Sequence, residues 1–312
     1  MPLRLSVIVC TRNPRPHYLQ RVLGAMREQT LPLADWELVV VDNDSRESLA
    51  ASLELSWHPN ARVVREESTG LTHARLRGFA EASSPLFIYV DDDNILHPAY
   101  LETADRMADT MPFIGVWSAS IQGEFERPPA RWMKPYLHYL ALTNFTHDQW
   151  SNHPRGQTLP IGAGMVTRRE VMAAYRARLV DDPQRMRLDR DDQSLLAGGD
   201  TDIGLAACAI GLGCAYMTNL RVTHLIPASR LQRSYLVRLV EDVTASHRWL
   251  DMAQGLPDLT RYARIKLRVK GLIGQLVGRN GSFGFEAAVA RGHLKASALY
   301  KSGKLTAKHP EP

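Results

Sequence analysis

The sequence predicts an α/β fold: a mostly parallel central sheet flanked by helices, with a mainly helical C-terminal extension. Three observations carry this expectation. Short apolar runs alternate with amphipathic segments through residues 1–229. Polar clusters close three of those apolar runs at matching places. From Arg230 onward the chain turns basic and loses its strand-like runs.

Leu5 to Cys10 (LSVIVC) reads as a buried strand, short and rich in β-branched residues. The polar elbow Thr11-Arg12-Asn13-Pro14 follows it. Leu19, Val22, Leu23 and Met26 then recur at helical spacing, so an amphipathic helix comes next. Trp36 to Val41 is a second strand, closed by Asp42-Asn43-Asp44-Ser45. Ala61 to Val64 is a short third strand and Leu71 to Ala82 a helix. Leu86 to Val90 is the fourth strand, and it runs into Asp91-Asp92-Asp93-Asn94. A helix from Pro98 to about Thr110 and a strand from Phe113 to Ala119 follow.

In open parallel sheets, ligands bind beyond the carboxyl ends of the strands. The elbow at Thr11, the cluster at Asp42 and the triad at Asp91 all sit at such ends. They should therefore meet at one edge. Crowded carboxylates repel and raise each other's pKa values. A hard divalent cation removes that cost, because it prefers oxygen ligands. An isolated triad is equally compatible with a solvated turn in which Asp93 or Asn94 caps the next helix and Pro98 helps start it.

Residues 123–157 resist assignment. They interleave Trp132, Tyr136, Tyr139, Phe145 and Trp150 with Arg131, Lys134, His147 and His153. Aromatics here make either core packing or a sugar-facing platform, and the reading here is packing for most of them. Gly162 and Gly164 then let backbone pass close to a ligand or another strand, and Arg168 and Arg169 lead into a helix. Asp200 follows a glycine pair and precedes the helical run Ile203, Ala206, Ala207, Ile210. An Asp in that place is often an N-cap. Ala215 to His224 reads as the last strand.

Composition bounds the partners. The chain has 45% hydrophobic and 23% charged residues, enough for a core and unlike a disordered chain. Its 3 cysteines form no CxxC pair, so neither a disulfide framework nor a thiolate metal site is expected, and reduced cytosolic thiols are the default. No signal peptide and no transmembrane run is read in the sequence. There is no GxGxxG and no phosphate loop after the first strand, but TRNPRP instead. Any nucleotide must have its phosphates held another way.

The set SVIVCTRN, VVVDNDS, TGLTHARLRGF, YVDDDNILHP, IGAGMVTRREV, GGDTDIGLAACAIGLG and VTH, in this order, resembles glycosyltransferase family 2 with the GT-A, Rossmann-like fold. The resemblance covers about residues 3–227. It implies an inverting glycosyltransferase that takes a nucleotide-diphosphate sugar, first of all a UDP-sugar. The acceptor would be a hydroxyl of a glycan, a lipid-linked or a small molecule, for instance in an envelope polysaccharide. The elbow Thr11, Arg12 and Asn13 would border base and ribose, Asp42 would bond the base, and Arg75 would help hold the nucleotide. Asp91 and Asp92 would face the ribose and the surroundings of the metal. Asp93 would ligate Mg²⁺ or Mn²⁺, with His224 reaching the metal or the diphosphate. Asp200 takes the catalytic-base place of the family's Glu-Asp pattern, although Gly199 stands where Glu is usual.

Two rival classes remain in view. A nucleotidyltransferase would share the sheet and carboxylates, but normally carries a glycine-rich basic loop where TRNPRP stands. A catalytically inactive sugar-nucleotide binder has no physical need for Asp93, Asp200 and His224 together.

The expected division is a catalytic domain over 1–229 and an extension over 230–312. The extension holds 15 Lys/Arg against 6 Asp/Glu, a balance of +9, while the rest of the chain is net negative. Within residues 259–279 there are six Arg/Lys and no acid, and Tyr262, Ile265, Val269, Leu272 and Leu276 recur at helical spacing. Such a helix can lie on an anionic bilayer, which would make the protein cytoplasmic and peripheral at the inner membrane face. An apolar stripe also packs on its own domain, and Gly271, Gly274 and Gly278 weaken an isolated helix.

Overall fold

The computed structural model describes residues 3–154, 156, 158–191, 194–277 and 283–304. The chain forms two compact units, one of residues 1–186 with 199–228, the other of residues 187–198 with 229–312.

The first unit is built on one sheet. β1 (Leu5–Thr11), β2 (Trp36–Asn43), β3 (Ala61–Glu66) and β4 (Leu86–Asp91) pair in parallel in the order β3-β2-β1-β4. β1 and β2 are buried along their whole length, which is why they read as unbroken apolar runs. α1 (Pro16–Arg27) buries Leu19, Val22, Leu23 and Met26 on one face of the sheet, and α2 (Leu71–Glu81) buries Ala74 and Phe79 on the other.

Beyond β4 the sheet is mixed rather than parallel. β8 (Met165–Arg168) runs antiparallel between β4 and β6 (Ile114–Phe125), and β6 pairs in parallel with β9 (Gly213–Ile226). The mostly parallel expectation thus holds for the first four strands and gives way afterwards. β8 has four residues, too few to show any period. β6 and β9 also run past their expected ends; the added end of β6 alternates buried or half-buried with exposed residues, whereas that of β9, Leu225 and Ile226, is buried.

β5 (Asn94–Leu96) pairs antiparallel with β9, with Asn94 opposite His224. Asn94 therefore does not cap the next helix. α3 (Tyr100–Thr110) starts after Ala99 without any side-chain cap. β7 (Gln149–Ser151) adds to β9 from the excursion between β6 and β8. In that excursion a 3₁₀ helix, Arg131–Leu140, is anchored by buried Met133 and Leu140. Phe145 stacks on Tyr216 at 4.2 Å, as the packing reading expects, whereas Trp132 and Trp150 are exposed. α4 (Arg169–Asp181) and α5 (Gly199–Ala209) complete the unit. The buried Asp202 of α5 is held by Arg185 at 2.5 Å and Arg178 at 3.2 Å. The three cysteines are free thiols.

The second unit is helical: α6 (Arg233–Ala253), α7 (Arg261–Val277) and α8 (Phe283–Lys304). α6 and α8 bury Leu236, Leu239, Trp249, Phe285 and Ala288, and are tied by Lys295–Asp242 and Arg291–Glu241, both at 2.6 Å. The segment 187–198 docks on α6, where Asp242 accepts from the Leu195 N–H and Ser246 from the Ala197 N–H. Among the described residues, no helix is long and apolar enough to cross a membrane.

Candidate active site

The first two strand ends are laced together by their own polar side chains. Asn13 and Asp44 both adopt left-handed backbone, with φ of 48° and 54°, a region that Asn and Asp tolerate. The Asn13 N–H donates to Ser45 Oγ at 2.9 Å, and Asn13 Oδ1 accepts from the Arg46 N–H at 3.0 Å. Arg12 stands 3.8 Å from Asp44. Asp42 is buried, and its carboxylate accepts from the Ser45 N–H, the Leu49 N–H and Arg65. Burial alone would raise its pKa, but the bonds from Ser45 and Leu49 and the Arg65 charge hold it below the usual carboxylate range. Both oxygens of Asp42 are thus engaged by the protein's own donors, and they shape the loop that follows β2.

Thr11 at the end of β1 donates to Asp92 at 2.5 Å, joining the elbow to the triad. Asn94 organises the turn that follows. Its Oδ1 accepts from the Asp91 N–H at 3.3 Å, and its Nδ2 donates to Asp93 Oδ1 at 3.0 Å. The Leu225 N–H donates to the Asp93 carbonyl at 2.8 Å, which fastens the triad to β9. Asp93 Oδ2 thereby comes within 3.5 Å of His224 Nε2, with both side chains buried. His224 Nδ1 lies 3.0 Å from the Leu140 carbonyl, which can only accept. Nδ1 therefore carries a proton, and Nε2 is the ring atom that faces Asp93.

The third group lies around the loop before β8. Asp200 sits in the first turn of α5, inside the helix rather than at its N-cap. Its Oδ2 accepts from the Gly162 N–H at 2.8 Å and its Oδ1 from the Thr201 N–H at 2.7 Å. The buried Arg75 of α2 comes so close to Gly162 that a Cβ there would meet Nη2 at 2.5 Å, and the same Cβ would lie 3.4 Å from Asp200 Oδ2. Gly164, at φ of 72°, turns the loop so that it packs on Val222 of β9 and Leu96 of β5, the strands that carry His224 and follow Asp93. One short loop thus touches Arg75 and Asp200 at one end and packs at the other on the strand that carries His224. Burial, and then the Asp200 charge, push the Tyr216 hydroxyl up to about 12, so it stays a donor, to the Leu159 carbonyl at 2.9 Å.

Among the described residues no three His, Cys, Asp or Glu side chains gather in a metal-binding group. Asp93 and His224 nevertheless fit a cation that arrives with its substrate. They offer one carboxylate oxygen and one ring nitrogen at a spacing that a single ion can bridge. Mg²⁺-type sites commonly take one or two protein ligands and complete their shell with phosphate oxygens and water.

Of the expected residues, the structure brings Thr11 to Asp92, Asp93 to His224, and Arg75 of α2 and Asp200 of α5 to Gly162. The sequence did not reveal Leu140 and Arg65 as neighbours of the expected residues. Leu140 acts through its carbonyl and has no side-chain signature. Arg65 lies just beyond the expected third strand, which the structure extends to Glu66.

This α/β architecture with its strand-edge carboxylates is that of the GT-A fold. It is similar to Staphylococcus aureus TarS residues 1–349, with a TM-score of 0.52, 14% identity and coverage of 97% of this chain and 92% of that one. TarS 1–349 in complex with UDP-GlcNAc gives a TM-score of 0.56 at 14% identity, with the same 97% and 92% coverage. Residues 6–176 match the family model of glycosyl transferase family 2, and the chain belongs to that family. It is 35% identical over 98 residues to a dolichol-phosphate mannosyltransferase of Pyrococcus furiosus, covering 31% of this chain and 27% of that protein. It is 28% identical over 127 residues to the glycosyltransferase AglE of Haloferax volcanii, covering 40% of each. It is 33% identical over 103 residues to a validoxylamine A glucosyltransferase of Streptomyces hygroscopicus, covering 32% of this chain and 24% of that protein. The matches thus span well under half of these relatives.

Proposed function

We propose that this chain transfers a sugar, with inversion, from a nucleoside diphosphate sugar to an acceptor hydroxyl. The observation that carries this reading is the loop Ile161–Gly164, which meets Asp200 and Arg75 at Gly162 and, at Gly164, packs on Val222 of β9, the strand that carries His224. A proton acceptor and a diphosphate-holding pair are the two functions that single-step glycosyl transfer requires.

The acceptor hydroxyl attacks the anomeric carbon from the face opposite the leaving group. One C–O bond forms as the bond to the diphosphate oxygen breaks. Asp200 takes the hydroxyl proton as the new bond forms, since a neutral hydroxyl is a weak nucleophile. Its two N–H bonds fix the carboxylate, while each oxygen retains further acceptor capacity. Asp93 and His224 would hold Mg²⁺ or Mn²⁺, and such an ion would supply positive charge to the departing diphosphate. Arg75 adds a fixed cation beside the same loop. The strand-end loops of Thr11, Arg12, Asn13 and Asp42 border the base and ribose, with Asp91 and Asp92 beside the ribose.

UDP-sugars are the first donors to try, because a protein of this fold, TarS, is solved with UDP and with UDP-GlcNAc. The acceptor is a glycan, a lipid-linked or a small-molecule hydroxyl. The test is release of nucleoside diphosphate from a panel of nucleotide sugars with Mn²⁺, with Mg²⁺ and with chelator. Metal-dependent release from one donor supports the reading. Tight binding of nucleotide sugars without release under any condition, with acceptor mixtures present, would leave an inactive binder instead.

A further inference from the structure

Large apolar side chains stand exposed at nine places among the described residues, and four of the nine fall on α7. Tyr262, Ile265, Val269 and Leu272 are 78%, 53%, 48% and 60% exposed. Single exposed apolar residues are ordinary, but a run of four along one helix is not. At about 100° per residue these four form one continuous stripe. Arg261 and Arg268 border the stripe on one side, Lys266 and Lys270 on the other, and all four are exposed. The opposite face carries Ala263, Leu267 and the buried Gly271. That face packs on α8, where Arg291 Cγ would lie 3.8 Å from a Cβ at position 271. The helix is therefore held by one side and presents the other.

The charges around it are almost all of one sign. α7 has five Arg/Lys and no acid. Two acids of the unit reach it: Asp258 pairs with Arg264 at 2.5 Å, and Glu286 with Lys270 at 3.0 Å. Arg264 lies toward the packed side, so its pairing leaves the borders unaffected. Arg261, Lys266 and Arg268 keep the rims positive. A protein partner would need an apolar ridge between two acidic rows. An anionic bilayer offers both features everywhere on its surface: acyl chains for the stripe and phosphates for the rims. Leu276, Gly278 and Arg279 of the same sequence segment lie outside the described side chains.

We infer that the exposed face of α7 docks on anionic phospholipid, lying flat in the interface with Tyr262, Ile265, Val269 and Leu272 among the acyl chains. The inference stands on α7 alone and is independent of the catalytic reading.

The full chain is centrifuged with vesicles of phosphatidylcholine alone and of phosphatidylcholine with phosphatidylglycerol, at low and at high salt. It should pellet with the anionic vesicles, less so at high salt, and remain in the supernatant with the neutral ones. Ile265→Asp and Leu272→Asp should each weaken this binding roughly ten-fold or more, because each removes one buried aliphatic side chain. Both sites are exposed, so helicity by circular dichroism should not change. Lys266→Gln with Arg268→Gln keeps the stripe and should lower binding to anionic vesicles specifically. A parent chain that stays in the supernatant with both vesicle types overturns the proposal. So does pelleting that is equal on neutral and anionic vesicles and indifferent to the stripe variants. A dimer in solution that Leu272→Asp dissociates, without vesicle binding, would assign the stripe to a second copy of the chain instead.

Discussion

His224 donates from Nδ1 to the Leu140 carbonyl at 3.0 Å, and this bond orients the ring so that Nε2 faces Asp93. A buried imidazole without that acceptor could carry its proton on either nitrogen. The 3₁₀ helix Arg131–Leu140 therefore helps to orient His224 without contributing a side chain.

Asp93→Asn keeps the size of the side chain and removes its charge. Nucleoside diphosphate affinity in the presence of Mn²⁺ should fall roughly ten-fold or more, about 1.4 kcal/mol, while affinity in chelator stays as in the parent. Titration calorimetry with and without metal checks this. Equal Mn²⁺-dependent affinity in parent and variant would remove Asp93 from the cation site.

Asp200→Asn should lower turnover by about two to four orders of magnitude, the usual contribution of a general base. Donor affinity should be unchanged. The Asn oxygen can still accept from Gly162 or Thr201, so the melting temperature should move little. Single-turnover rates with a saturating donor decide the point; a parent-like rate assigns the proton to another group.

Gly162→Ala places a methyl group against the Arg75 guanidinium and beside Asp200. Arg75 is the flexible partner and will give way. The expected result is a roughly ten- to hundred-fold loss of kcat/KM, the scale of an ångström-sized misplacement, in a protein that still folds. Parent-like kinetics would show that the position of Arg75 is immaterial.

Asp42 and Glu37 are buried carboxylates whose pKa values lie below the ordinary range. For both, burial opposes ionisation but is outweighed by hydrogen bonds, from Ser6, Ser83 and Arg62 in the case of Glu37. A folded-state pKa below the unfolded one means that the stabilisation is complete above the unfolded value, about 4. It is lost as pH falls through the folded value. Stability measured by urea denaturation should therefore be flat near neutrality and drop steeply below about pH 4. Asp42→Asn should cost about 1–3 kcal/mol at pH 7 and flatten the acid limb. An unchanged acid limb would mean that Asp42 is not ionised in the folded chain.

The parallel half of the sheet was legible because strands buried on both faces leave a continuous apolar run, as in Leu5 to Cys10 and Trp36 to Val41. Asp93 and Asp200 drew notice in the sequence because each stands where an apolar element begins or ends, and His224 because it closes the apolar run read as the last strand, which the structure carries on to Ile226. β5 and β8 were not, since three or four residues cannot display alternation. Asn94 invited a capping role, yet its side chain is spent on the Asp91 N–H and on Asp93. Asp42 shows the same limit from the other side. Its position after β2 was readable, but its three partners come from Ser45, Leu49 and Arg65, and only the folded chain reveals that they occupy it.

The pairing of Asn94 with His224 across β5 and β9 constrains how sequences of this kind can drift. Side chains alternate along a strand, so slipping β5 by one residue would turn its neighbours to the wrong face. Asp93 would then lose His224 although neither residue had changed. Insertions and deletions should thus be tolerated in the excursion between β6 and β8 only where they leave the Leu140 carbonyl and the β7–β9 pairing in place. They should be purged from the few positions between the triad and α3. What descendants must inherit is the count of residues there as much as their identity.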